Sequence, residues 1–171
     1  YLRRLYDHIA VFEMATRTHT VLTSGQVDDA SPSWSPDGTQ IAFAMAVNQP
    51  NEYEVFIMGA DGTNAQQLTN GLPGIGGSLD WSPDSKYLLI YAGPQGNKNI
   101  FRIDMQAKTA AQLTNGGNNA ASSFSPDGQW IAFNSLRNND QADIFIMRTD
   151  GSSLRQVTDN PEPDWQPQWE P

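Results

Sequence analysis

An all-β fold is predicted, a β-propeller of four-stranded antiparallel blades, and three features of the sequence predict it. A turn recurs at Ser35-Pro36-Asp37-Gly38, Ser82-Pro83-Asp84-Ser85 and Ser125-Pro126-Asp127-Gly128, each just after an aromatic (Trp34, Trp81, Phe124), with a worn fourth copy at Trp165-Gln166-Pro167. Threonines after an apolar residue stand at Thr23, Thr69, Thr114 and Thr158, spaced 46, 45 and 44 apart. The segment Ile41-Ala42-Phe43-Ala44-Met45-Ala46-Val47 is apolar on both of its alternating faces. Repeats of about 40–45 residues with four short strands are the signature of propeller blades. A sheet wetted on one side would show polar residues on that side, whereas a blade pressed between two neighbours buries both.

The strands of one unit follow in order. In the second unit, Ser78 to Trp81 reads as the innermost strand, Lys86 to Tyr91 as the second, Asn99 to Asp104 as the third and Ala111 to Thr114 as the outer one. Their apolar, β-branched and aromatic content favours strands. Third strands align without a gap, since Ile9, Val55, Ile100 and Ile144 each precede their threonine by 14 residues. Phe101 and Phe145 follow them, Phe133 lies on the third unit's second strand, and these join Trp34, Phe43, Trp81, Phe124 and Trp165 as the expected blade core. Arg102 interrupts that core and is expected to snorkel its charge to water.

The turns have local causes. Pro36, Pro83 and Pro126 pre-set φ, Asp37, Asp84 and Asp127 belong to the turn, and Gly38 and Gly128 take the left-handed conformation that follows. Ser85 replaces that glycine, so positive φ there should cost about 1 kcal/mol. Asp61-Gly62 and Asp150-Gly151 turn between third and fourth strands.

Full units span 24–69, 70–114 and 115–158 within a single domain, 1–171. Residues 1–23 and 159–171 are expected to share a fourth blade, with Tyr1 to Leu5 as its second strand, which removes open edges. The alternative is an arc of a larger propeller, or one closed by a second chain. Tyr1 to Asp7 lacks the apolar segment of a secretion signal, and the missing initiator methionine suggests a trimmed chain, which leaves room for a removed leader.

Composition narrows the function classes. There is no cysteine for disulfides or thiolate metal sites, and no apolar run of about 18 residues for a membrane span. A net charge of −9 without a basic stripe speaks against nucleic acid. The two histidines, His8 and His19, have no metal-ligand spacing, and no nucleophile elbow or phosphate loop is present.

Long loops that differ between copies fall on one side of the blades, and binding is expected there. The candidates are Asp28, Asp29, Asn118, Asn119, Arg137, Asn138 and Asp140. Asp28 and Asp29 read first as solvated loop residues and second as a weak calcium site. Asp80 and Asp164 precede innermost-strand tryptophans, with Ser33 and Ser123 at the matching sites of the other copies; the two acids read first as acceptors for nearby backbone N–H groups and second as a pair flanking a ligand at the channel mouth, as paired acids do in glycoside chemistry. Gly71 to Gly77 reads as a flexible inter-blade link.

Trp34 to Phe43 with Val55 to Thr69, Trp81 to Tyr91 with Ile100 to Thr114, and Phe124 to Phe133 with Ile144 to Thr158 resemble the TolB-type β-propeller repeat. The resemblance implies an interaction platform without catalysis or cofactor, in a periplasmic or extracellular setting, with a cytoplasmic one left open. Similar propellers precede peptidase domains or act as uronide lyases, but the former need a separate hydrolase domain and the latter clustered histidines. The leading expectation is therefore a module binding a protein or small polar ligand. Its rivals are a polysaccharide- or peptide-processing enzyme using channel-mouth carboxylates, and a structural repeat domain of a longer parent.

Overall fold

The computed structural model describes residues 7–47, 52–138 and 141–169, and every regular element among them is a strand. β1 (Ala10–Glu13) and β2 (Thr18–Val21) form a two-stranded sheet, here called the half-blade. Blade one is β3 (Asp29–Trp34), β4 (Gln40–Ala46), β5 (Tyr53–Gly59) and β6 (Gln66–Gln67). Blade two is β7 (Gly76–Trp81), β8 (Tyr87–Ala92), β9 (Asn99–Asp104) and β10 (Thr109–Gln112). Blade three is β11 (Ala120–Phe124), β12 (Trp130–Ser135), β13 (Asp143–Arg148) and β14 (Arg155–Gln156). Each is an antiparallel meander in chain order, as expected.

The recurring turn works through its serine and its aspartate. Ser35 Oγ donates to Asp37 Oδ1 at 2.7 Å and accepts from Gln40 N at 3.0 Å, closing the β3–β4 hairpin. Ser82 with Asp84 and Tyr87, and Ser125 with Asp127 and Trp130, repeat this. These serine hydroxyls hold the carboxyls of Asp37, Asp84 and Asp127 below the usual aspartate range. Ser85 stands at φ 58°, in the left-handed region its glycine counterparts occupy at 70° and 68°.

Packing follows the two-sided pattern. From β4, Ile41 and Phe43 face the half-blade and join Ile9 and Met58, while Ala42 faces blade two and joins Val55, Leu79 and Trp81. From β8, Leu88 and Ile90 face blade one, and Leu89 faces Phe124, Phe133 and Phe145 of blade three. Ile41 through Ala44 are all buried, so neither side of the sheet is wet. Arg102 behaves differently from expectation. Its guanidinium donates to Thr149 O of blade three at 2.5 Å and lies over the Tyr87 ring, so it bridges blades instead of reaching for solvent.

Inner strands carry a bulge. Ala30 and Ser33 oppose Ala44 and Ala42, and Ala120 and Ser123 oppose Asn134 and Ala132, so one residue is extra in each β-ladder. Ser31 (φ 52°) and Ala121 (φ 49°) absorb it. In blade two the insertion is longer, and Gly77 (φ 63°) lies under Tyr91, where a Cβ would sit 1.9 Å from the phenol oxygen.

Two assignments of the expected core need correction. Gln166 (φ 53°) repeats the bulge conformation in the C-terminal segment 164–169, and Trp169 Nε1 donates to Ser123 O at 3.1 Å, as Trp81 Nε1 does to Ser33 O. Trp169, not Trp165, is thus the fourth-copy aromatic, and Trp165 is 57% exposed. Trp34 is 48% exposed because the half-blade offers, among the described residues, no inner strand whose carbonyl its indole could reach. The expected second strand of a shared blade, Tyr1 to Leu5, lies outside the described residues. Among the described residues no backbone hydrogen bond joins 164–169 to 7–23.

Phe133 is fully buried between blades two and three. Phe133→Ala is expected to cost about 3–5 kcal/mol in urea unfolding, whereas Trp165→Ala should stay within about 0.5 kcal/mol. Because the turn carboxyls have depressed pKa values, their contribution is present above the unfolded aspartate value of 3.8 and is lost as pH falls through the folded values. Acid titration of Ser125→Ala should accordingly show weaker destabilisation on acidification than the parent.

Candidate functional site

The inner strands β3, β7 and β11 run side by side toward the axis of the stack, and segment 164–169 follows β11. A cleft of about 240 Å³ opens between β7, β11 and that segment, walled by Ser78, Asp80, Ser122, Ser123, Gln166 and Gln168, with Leu79, Ala121 and Pro167 completing it. Three of its polar side chains come from the residue just before an inner-strand aromatic: Asp80, Ser123 and Gln168.

Asp80 is the one carboxylate in this wall. Its Oδ2 accepts from Phe124 N at 2.8 Å, tying β7 to β11. Burial pushes its carboxyl pKa above the usual aspartate range, and the Phe124 amide partly opposes that. Asp164, the other acid of the alternative pair, is not among the lining residues. Its Oδ2 accepts from Asn160 at 2.7 Å, and its N–H donates to Ala142 O at 2.7 Å. The cleft that Asp80 lines therefore does not take in Asp164.

Outside the cleft, a repeated polar pin joins third strands to the ends of the outer strands, where the inter-blade links begin. The N–H groups of Ile9, Val55, Ile100 and Ile144 donate to Oγ1 of Thr23, Thr69, Thr114 and Thr158 at 2.8, 2.8, 2.9 and 2.9 Å. Three of those hydroxyls donate in turn: Thr23 to Asp29 Oδ2 at 2.6 Å, Thr69 to Glu54, and Thr114 to Asn99 Oδ1 at 3.3 Å. Glu54 and Asn99 also accept from Gly71 N and Gly116 N at the start of the next link. This chemistry explains why threonine marks the repeat.

Several predicted binding residues turn out to serve these pins. Asp29 is buried, holds Thr23, and lies 3.6 Å from His8 Nδ1, so it is not a solvated loop acid. Asp28 accepts from Asp7 N at 3.3 Å. Asn119 is fully buried; its amide donates to Lys98 O, Thr114 Oγ1 and Gly116 O, and its oxygen accepts from Arg137. Arg137 also donates to Ser135 and covers the Phe145 and Phe133 rings, with centroids 4.8 and 5.6 Å away. Asn118 takes φ 45° and accepts from Lys98 N, and Asn138 donates to Gln156. Asp140 lies outside the described residues.

The glycine-rich link is anchored, not loose. Pro73 O accepts from Gly93 N at 2.6 Å and Gly74 O accepts from Lys98 Nζ. It borders a rim pocket of about 310 Å³ with Glu52, Glu54 and Tyr53. Among the described residues no group of three or more His, Cys, Asp or Glu is placed to hold a metal.

Asp80 and the matching Ser123 are legible in the sequence, but Ser78, Ser122 and the two glutamines of the cleft are not singled out there. The signal was available: Gln166-Pro167-Gln168-Trp169 parallels Ser31-Pro32-Ser33-Trp34, a match hidden by Trp165 preceding Pro167.

A family model described as the TolB beta propeller domain matches residues 3–119. An uncharacterized protein of Agrobacterium fabrum is 34% identical over 135 residues, covering 78% of this chain and 44% of its own length. A Tol-Pal system protein TolB of Francisella tularensis is 32% identical over 110 residues, covering 63% of this chain and 25% of its own. The crystal structure of TolB from Acinetobacter baumannii superimposes with a TM-score of 0.72 at 21% identity, covering 91% of this chain and 38% of that one. The chain belongs to the TolB β-propeller domain family, and it spans less than half the length of each of these three relatives.

Asn119→Ala removes the bonds joining two links and should cost about 1–3 kcal/mol in urea unfolding, while Asn138→Ala should stay within about 0.5 kcal/mol. Asp80 gives a test with a distinct sign. An acid whose folded pKa is raised binds more protons folded than unfolded, so its ionisation lowers stability as pH rises. Asp80→Asn is expected to be more stable than the parent at pH 7, with the gap closing as pH falls toward the ordinary value of 3.8. An equal gap at both ends of that range would contradict the burial argument.

Proposed function

We propose that this chain is a non-catalytic binding module that takes a short polar, basic segment of a protein partner into the axial cleft, with the rim of inter-blade links framing the entry. The observation that carries this reading is the division of labour between residues. Apolar side chains of the repeats are committed to blade stacking, whereas the cleft is walled by serine and glutamine hydrogen-bonding groups around one half-buried carboxylate. A single acid in such a wall pairs with a cation or a hydrogen-bond donor, and the charge of −9 favours a basic partner. Membership of a family whose relatives include a Tol-Pal system protein supports a protein partner. No helix among the described residues is long and apolar enough to cross a membrane. The proposal includes function without catalysis or a cofactor and a periplasmic or extracellular setting, as the family resemblance implies.

Hydrogen-bonding a cation to a half-buried acid is worth about 1.5–3 kcal/mol, roughly a tenfold or greater change in affinity. An immobilised random peptide library probed with the parent chain should return sequences enriched in lysine or arginine. The same peptides should bind Asp80→Asn at least about tenfold more weakly. Peptides with no basic bias, or equal binding by the variant, would remove the reading.

A further inference from the structure

Two inter-blade links open on the same four residues, Leu68-Thr69-Asn70-Gly71 and Leu113-Thr114-Asn115-Gly116, while the other two threonines are followed by Ser24-Gly25 and Asp159-Asn160. Asparagine is a chemically labile residue, and before glycine it undergoes a reaction that needs no enzyme. The glycine backbone nitrogen loses its proton and attacks the asparagine Cγ, a C–N bond forms, and the side-chain nitrogen leaves as ammonia. The resulting succinimide takes up water at either carbonyl and opens to aspartate or to isoaspartate, the second with an extra carbon in the backbone. Glycine permits the ring closure because it brings no Cβ near the attacking nitrogen.

The fold places the two sites alike in all but one respect. Asn70 and Asn115 are both exposed, so water reaches each. Gly71 and Gly116 take nearly the same conformation, φ 77° and 76°. Each attacking nitrogen is engaged, since its N–H donates to a buried residue at the start of the third strand of its blade. Gly71 N donates to Glu54 Oε1 at 2.5 Å and Gly116 N to Asn99 Oδ1 at 2.9 Å. The nitrogen attacks only after giving up that bond. Glu54 offers a carboxylate and Asn99 a neutral amide, and a hydrogen bond to an ionised partner is roughly twice as strong. The negative charge beside Gly71 N also disfavours loss of its proton. The sequence being the same, the acceptor alone sets the two links apart.

We propose that Asn115 is a site of spontaneous deamidation through a succinimide, and that Glu54 guards the identical Asn70 against it. The consequence at Asn115 is structural. Asn119 Nδ2 donates to Gly116 O at 2.8 Å and to Thr114 Oγ1 at 3.1 Å, so one amide grips the chain on both sides of Asn115. An isoaspartate inserts its extra carbon between those grips and releases one of them. Asn119 also accepts from Arg137 at 2.9 Å, so the change loosens the network that covers the aromatic core of blade three. This inference stands apart from the binding role of the axial cleft and does not depend on it.

Peptide mapping by mass spectrometry, with isoaspartate marked by an isoaspartyl methyltransferase, reads both sites in one sample of the chain aged near neutral pH. In urea the two identical sequences should react at the same rate. In the folded chain Asn115 should convert about fivefold or more faster than Asn70. Glu54→Gln keeps an acceptor oxygen but removes the charge, and should bring Asn70 up to the rate of Asn115. Asn99→Asp supplies the charge and should slow Asn115 toward the rate of Asn70, with circular dichroism showing that both variants keep the fold. The comparison within the parent chain stands without either variant. Equal rates in the folded parent, Asn70 leading, an Asn115 that stays unconverted while the unfolded chain reacts, or folded variants with unchanged rates would each overturn the proposal.

Discussion

The rest of the structure depends on one constraint: the sheets of blades one and two each have two apolar faces and must bury both. A lone sheet of this kind would leave a row such as Ile41, Phe43 and Met45 in water on one side and Ala42, Ala44 and Ala46 on the other. Stacking answers both sides at once, and the alternation of large and small residues along β4 lets a bulky neighbour approach the alanine side. The burial of a phenylalanine-sized side chain is worth several kcal/mol, so the repeated junctions outweigh any single turn or ion pair. Only one carboxylate–ammonium contact, Lys86 with Asp84, is found among the described residues, and it is exposed, where such pairs contribute little.

Stacking by apolar faces says little about angle or spacing, because hydrophobic contact has no direction. The threonine pins supply direction. Each joins the start of a third strand, the end of an outer strand and the link into the next blade, and does so through buried polar atoms that tolerate few arrangements. Asn119 and Arg137 extend one pin into a network that reaches the aromatic core of blade three. Structural and ligand-facing roles are consequently separated by position: the pins sit in the links, and the cleft is walled by residues that precede the inner-strand aromatics.

The fold was legible because it is written several times in register. The Ser-Pro-Asp turn, the threonine and the two-sided second strand recur with little change in spacing, and each matched its element in the structure; Asn99 to Asp104 is the same strand in both descriptions. The site was much less legible, for a physical reason. Side chains that make structural hydrogen bonds, such as Asp29 and Asn119, have the same residue types as those that meet ligands, and burial separates them. Burial is not visible in a loop sequence. The fourth copy is hard to read because Trp165 stands two residues before Pro167, the spacing that Trp34 holds to Pro36, whereas Trp169 fills the aromatic position four residues later. With it goes the placing of Asp164, whereas Asp80 accepts from the Phe124 amide, the backbone bond that the first reading of that residue expects.

Amide hydrogen exchange across β4, β8 and β12 tests the stacking account most directly. If the blades support one another as described, the amides of Ala42 and Phe43, of Leu88 to Ile90, and of Ile131 to Phe133 are the slowest in the molecule. They should also share one protection free energy, that of global unfolding. Fast exchange in any one of these three strands, or blades that open independently of one another, would contradict it.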